Sequence, residues 1–273
     1  MLQHAVVAVD FSEGQERFLE ALRRFSGSLG IRRATLVHVL DITYPGALDD
    51  SLEASRAELY QEQLDEAGAA LRAAGLEVDS EVRKGSPAWE LQRVASDQGA
   101  DCVVLGGRGH TALGEFFLGS VLLDSARLTR VPLVVLPEAG GGDPEGPVIL
   151  GTDGSEAATG AEQLGRRYLE QGVPVVGVYA PPTPEPKGWR KHEMDRARAR
   201  LAELAGEGAE TDVLPGYPWQ VLTRLAHERS ARAIIVGKRG YNALEALLLG
   251  SSAEAVCRRA EHPVIVVPGD KPG

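Results

Sequence analysis

The sequence predicts an α/β fold written twice: two duplicated, doubly wound domains, each a parallel sheet with helices on both faces. Three observations carry this. Long blocks of sequence recur once along the chain. Short apolar runs alternate with helical patterns inside each block. Glycine-rich loops follow the apolar runs at matching places in both.

The recurrence is specific. Val103-Val104-Leu105-Gly106-Gly107-Arg108-Gly109 returns as Ile234-Ile235-Val236-Gly237-Lys238-Arg239-Gly240, an offset of 131. At that offset Gly119-Ser120 faces Gly250-Ser251, Pro132-Leu133-Val134-Val135 faces Pro263-Val264-Ile265-Val266, and Gly85-Ser86-Pro87 faces Gly216-Tyr217-Pro218. Near the start, Val9-Asp10-Phe11-Ser12-Glu13 matches Thr152-Asp153-Gly154-Ser155-Glu156 at an offset of 143, so the second copy lacks 12 residues in its front part. The period exceeds the ~20–50 residues of solenoid repeats. It gives domains at 1–138 and 147–268, a Gly/Pro-rich linker at 139–146 and a tail at 269–273. A chain of 273 residues accommodates two domains of ordinary size.

Within each copy the elements read in order. Val6–Val9 and Val148–Leu150 are short apolar runs bounded by turn residues, as buried parallel strands should be. Leu36–Leu40 pairs with Val175–Tyr179, Cys102–Leu105 with Ala233–Val236, and Leu133–Leu136 with Val264–Val267. A weaker strand at Glu77–Val82 faces Glu210–Leu214. Between them Leu64, Ala67, Leu71 and Ala74 have helical spacing, as do Met194, Ala197, Leu201 and Leu204. Leu91, Val94 and Ala95, with Leu222, Leu225 and Ala226, mark another helix pair. Strands joined by helices run parallel, and right-handed crossovers favour a doubly wound sheet.

In such a sheet ligands sit beyond the carboxyl ends of the strands, at the switch point. The loops expected there are those where the copies match best. One offers Asp10 and Asp153. The other carries Gly106-x2-Gly109-x9-Gly119-Ser120 and Gly237-x2-Gly240-x9-Gly250-Ser251. Glycine after the strand permits backbone conformations closed to other residues, and lets amides approach a ligand. Gly119-Ser120 and Gly250-Ser251 open a helix, whose unpaired N–H groups and dipole attract an anion. The serine hydroxyls can donate to phosphate, and an aspartate suits ribose hydroxyls. The constellation describes a nucleotide. Taken singly, a glycine turn or an N-cap serine has a purely structural reading; the full spacing, twice, argues for the ligand. There is no G-x4-G-K-[ST] loop, and Gly107-x-Gly109-x-x-Ala112 follows the wrong strand for a dinucleotide fingerprint.

These residues resemble the universal stress protein family in its tandem, ATP-binding form. The resemblance covers nearly the whole chain. It implies a five-stranded parallel sheet in the order 3-2-1-4-5 and ATP at each switch point. It implies that Asp10 and Asp153 contact ribose, with Gly106 and Gly237 near it. Gly109, Gly119, Ser120, Gly240, Gly250 and Ser251 would hold the phosphates. Backbone at Val39 and Val178 would meet adenine. Family members also dimerise through the last strand. A pseudo-dimer of the two copies is therefore expected, alongside homodimers and an unidentified protein partner.

Other classes recede. Acidic residues number 39 against 29 basic ones, a net charge of −10, so a nucleic-acid partner is not expected. No segment approaches ~18–20 consecutive apolar residues, so no membrane partner is expected either. The N-terminus reads as a strand rather than a leader, which suggests a cytoplasmic protein. Cys102 and Cys257 fall on a core strand and a helix face, and no metal-ligand spacing occurs. No catalytic residue is assigned. His110 faces Tyr241 in the second copy, and His38, read against Gly177, is a packing residue. Trp89 and Trp219 read as core or rim packing. Asp10 and Asp153 could hold Mg²⁺, but the sugar suits them better. Residues 1–138 carry −8 and residues 139–273 carry −2, with an acidic second helix in the first copy and a basic one in the second. The expectation is an ATP-binding regulatory or stress-response protein with little or no turnover. The alternatives are a slow ATP hydrolase and a nucleotide-independent dimerisation module.

Overall fold

A computed structural model describes residues 2–41, 50–107, 119–137, 140–181, 191–239 and 249–269. The chain divides into two compact units, Leu2–Glu138 and Ala139–Gly273.

The first unit runs β1 (His4–Ala8), α1 (Gln15–Leu29), β2 (Arg33–Leu40), α2 (Asp50–Ala73), β3 (Glu77–Lys84), α3 (Pro87–Asp97), β4 (Cys102–Gly106), α4 (Ser120–Leu128) and β5 (Leu133–Leu136). Every pairing is parallel, and the order is β3-β2-β1-β4-β5. The second unit runs β6 (Val148–Gly151), a 3-10 turn (Glu156–Ala158), α5 (Thr159–Glu170), β7 (Val175–Tyr179), α6 (Lys191–Gly206), β8 (Glu210–Val213), α7 (Pro218–Glu228), β9 (Ala233–Gly237), α8 (Ser251–Arg259) and β10 (Val264–Val267). Its order is β8-β7-β6-β9-β10, again parallel throughout. Both sheets thus follow the expected 3-2-1-4-5 plan.

The chemistry of the elements explains their places. Ala5, Val6 and Val7 of β1 and Cys102, Val103 and Val104 of β4 are buried, as strands covered on both faces must be. β3 has only exposed and half-buried residues, and β8 alternates between the two, because each sits at the outer edge of its sheet. α1 lays Phe18, Ala21, Leu22, Phe25 and Leu29 on the sheet, and α5 lays Ala161, Leu164 and Tyr168 there. Pro87 and Pro218 start α3 and α7, where a missing N–H costs nothing. Cys102 and Cys257 are buried free thiols. Trp89 departs from expectation: it is 64% exposed, on the outer side of the first turn of α3. Trp219 is half-buried, with the Arg259 guanidinium 4.4 Å above its ring.

The ladders locate the 12 missing residues. Val9 N–H donates to Val37 O at 2.9 Å, and Thr152 N–H donates to Val178 O at 3.0 Å. Val178 is therefore the counterpart of Val37, and Tyr179 that of His38. The pairing of His38 with Gly177 is corrected by two positions. Two residues are absent between β6 and β7. The other ten are absent between β7 and the paired part of β8, where α6 has 16 residues against 24 in α2.

Candidate functional site

The crossovers place β1 beside both β2 and β4, and β6 beside both β7 and β9. The chain turns opposite ways from these central strands, which opens a crevice at their carboxyl ends. Asp10 follows β1 and Asp153 follows β6. Each is half-buried and shaped by a tight turn: Ser12 N–H donates to Asp10 Oδ1 at 3.0 Å, and Ser155 N–H donates to Asp153 Oδ1 at 3.0 Å. In the second unit the Ser155 hydroxyl also donates to Asp153 Oδ1, at 2.5 Å.

The register puts the expected glycines Gly106 and Gly237 one residue before the level of these aspartates. Val7 lies opposite Val104, and Gly151 opposite Val236, so the next residues along carry Asp10 to the level of Gly107 and Asp153 to that of Lys238. Gly106 and Gly237 remain within the strands, and neither adopts positive φ. The conformational reason expected for them is thus replaced by a steric one at Gly237. A Cβ there would lie 3.0 Å from Arg239 O and 3.1 Å from Ala157 O. Gly109, Gly240 and His110 lie outside the described residues.

Gly119 and Gly250 cap α4 and α8 with nearly the same backbone, φ −59, ψ 146 and φ −61, ψ 142. Neither helix start has a side-chain cap. Ser120 and Ser251 are exposed at the first helical position instead of acting as N-caps. The first four N–H groups at each start therefore have no intrahelical acceptor. In the second unit Gly250 N–H donates to Lys238 O at 2.9 Å. That bond fastens the open start of α8 to the end of β9, beside Asp153.

The third wall is the end of β2 or β7. Along a strand, the N–H and C=O of one residue point the same way, and successive residues alternate. Val37 O serves β1, and Leu40 O accepts from Gly85 N–H on the β3 side at 3.0 Å. Val39 therefore turns its backbone groups toward the β1 side, beyond the last bond of that ladder. In the second unit Tyr179 O accepts from Leu214 N–H at 3.0 Å, on the β8 side, while Val178 O is engaged by Thr152. Ala180 is the residue that turns toward the β6 side. It is the counterpart of Val39, a place that sequence pairing had assigned to Val178.

The two sites differ in their surroundings. Phe11 has φ 53 and stacks on Tyr60 at 5.2 Å, with His38 at 4.8 Å. His38 Nδ1 bonds Val9 O at 2.8 Å. Its counterpart loop has Gly154 at φ 70, pressed against the backbone of α6 at Arg196 and Ala197. Lys238 stands where the first unit has Gly107. It is buried, and burial, aided by the charge of Arg239, pushes its ammonium down to about 8.

The profile of the universal stress protein family matches residues 1–137 and again residues 146–268. The chain belongs to the universal stress protein family. A universal stress protein of Mycolicibacterium smegmatis is 30% identical over 291 residues, covering 96% of each chain. One from Mycobacterium tuberculosis is 32% identical over 217 residues, covering 70% of this chain and 69% of its own. Among solved structures, a universal stress protein from Archaeoglobus fulgidus aligns with a TM-score of 0.76 at 22% identity, covering 100% of this chain and 98% of that one. A second, from Pseudomonas aeruginosa, gives 0.65 at 16% identity over 98% and 94%. At these identities the likeness is one of fold. In this universal stress protein the family match falls once on each compact unit. Among the described residues no helix is long and apolar enough to cross a membrane.

Proposed function

We propose that each unit binds ATP at the carboxyl end of its sheet, and that the protein is regulatory, with little or no turnover. The observation that carries this is the bond from Gly250 N–H to Lys238 O, which sets an uncapped helix start beside Asp153. An anion at α8 would meet unpaired amides and the positive end of the dipole. Asp153 stands ready for ribose hydroxyls, and the backbone of Ala180 for the base edge. In the first unit the same roles fall to Asp10, Val39, Gly106, Gly119 and Ser120. Gly109 and Gly240 complete the phosphate loops in this reading, and Gly237 and Ser251 the second site.

The domains of the proposal are 1–138 and 147–268, joined by residues 139–146. Mg²⁺ accompanies ATP as its usual counter-ion rather than as a resident metal. The proposal takes neither a membrane nor a nucleic acid as a partner. Backbone amides hold phosphate without a basic surface, which reconciles the reading with a net charge of −10. The test is mass spectrometry of small molecules released from freshly purified protein, followed by calorimetry of the stripped chain with ATP. Two ATP per chain are expected, with one lost on Gly119→Val, which places a side chain over the first helix start. Absence of binding at millimolar ATP refutes the proposal. Phosphate release above background that disappears in Asp10→Ala plus Asp153→Ala would replace it with the hydrolase reading.

A further inference from the structure

Glu162 of α5 is fully buried, which is rare for a carboxylate without a dedicated role. The Thr152 hydroxyl donates to its Oε1 at 2.5 Å. Its Oε2 has no hydrogen bond and pairs at 3.7 Å with Arg200 Nε of α6. The Thr152 oxygen in turn accepts from Gly154 N–H at 3.1 Å. Thr152 and Gly154 flank Asp153. A chain of contacts thus runs from α6 through Arg200, Glu162 and Thr152 to the amide just after the aspartate.

A second tie runs parallel to it. A Cβ on Gly154 would lie 2.7 Å from Ala197 N and 2.9 Å from Arg196 C, so the loop backbone rests directly on α6. Arg200 lies about one turn further along the same helix. The first unit has neither device. Val9 stands where Thr152 does, Leu19 where Glu162 does, and Phe11 packs on Tyr60 and His38 instead. Replacing a buried ion pair by apolar residues of similar volume is often neutral or stabilising, because burying a carboxylate has a desolvation cost. The polar arrangement needs another reason.

We infer that Glu162 and Thr152 are positioning residues for the second nucleotide site, which fix Asp153 against the ribose and make that site respond to α6. This rests on the ATP reading above. The first site, held by aromatic packing, lacks the link. The two sites of one chain are therefore controlled by different elements.

The test uses the full chain carrying Gly119→Val, so that only the second site is read. Calorimetry compares ATP with 2′,3′-dideoxy-ATP, which lacks the hydroxyls that Asp153 would hold. The parent is expected to prefer ATP about tenfold, the size of a hydrogen bond to a charged group. Thr152→Val should bring the ratio close to one, and Thr152→Ser should keep it. Since Thr152→Val leaves Glu162 stranded, the double variant Thr152→Val/Glu162→Leu supplies the apolar pair of the first unit. It should fold and still show the collapsed ratio. A purely structural role would weaken both nucleotides alike and leave the ratio unchanged. A retained ratio in both valine variants overturns the inference while leaving ATP binding standing. A parent that binds ATP and the dideoxy analogue equally overturns the ribose contact and the inference together. A parent that binds neither overturns the nucleotide reading of this unit, and the inference with it.

Discussion

Gly154→Ala is a sharp probe of the second site because its cost can be worked from the geometry. The residue has φ 70, and an added Cβ would meet Ala197 N at 2.7 Å, Ala197 Cα at 2.8 Å and Arg196 C at 2.9 Å. All three are helix backbone, so no side chain can swing aside. Holding a residue with a Cβ in the left-handed region costs about 1–2 kcal/mol. Overpacking a closed contact adds about 1–3 kcal/mol. Losing glycine's freedom in the unfolded chain returns about 0.4–1 kcal/mol. The net is a loss of roughly 1–5 kcal/mol from the second unit. Urea unfolding followed through the two units should show one transition moved and the other unmoved. The loop must retreat from α6 to admit the methyl group, so ATP binding at the second site should weaken as well. A loss below about 1 kcal/mol with unchanged ATP affinity would show that the loop does not rest on α6 as described.

Phe11→Ala keeps the left-handed residue but removes its stack with Tyr60 and His38. The first unit should lose about 1–3 kcal/mol by urea unfolding, and an unmoved midpoint would refute the packing role. Lys238, pushed down to about 8, should make ATP binding at the second site weaken as pH rises through that value, while Lys238→Met removes the step. Its effect on stability has the opposite sign: between about 8 and the ordinary 10.5 the unfolded chain holds the extra proton, so this group favours folding more as pH rises. Identical calorimetric pH profiles for wild type and Lys238→Met would dismiss the first effect. His262 is held below its usual 6.5 by burial and by His227, with Glu261 opposing. Its contribution is present above 6.5 and is lost as pH falls, so His262→Gln should narrow the gap between urea midpoints at neutral and mildly acidic pH.

Much of the architecture was legible because the chain states it twice. Short apolar runs bounded by turn residues marked the four inner strands of each copy, and helical spacing marked the second and third helices. The helix starts at Gly119 and Gly250 were legible for the same reason. Other features were hidden by the limits of pattern. Trp89 follows a Gly-x-Pro turn like its neighbourhood in the second copy, yet faces solvent, because one turn of helix decides which side a residue takes. Glu162 lies among ordinary helix residues. Its only signal was a charge on the face that buries Ala161, Gly165 and Tyr168. Positive φ at Phe11 had no signal, since bulky residues rarely adopt it.

The sequence by itself determined the duplication, the parallel α/β plan, and the aspartate after the first strand and the glycine at the last helix start of each copy. These follow from residue type and spacing, which survive without coordinates. Only the tertiary structure decided the register of β7 against β6, and with it that Ala180, rather than Val178, is the counterpart of Val39. The physical reason is the two-residue period of a strand. A slip of two keeps every side chain on its original face, so the apolar pattern is blind to it, and only the ladder of hydrogen bonds tells the alternatives apart. The same holds for the contacts of α6 with Glu162 and Gly154: Arg200 is remote from both in the chain, and these contacts exist only once the fold has brought α6 beside α5 and the loop after β6.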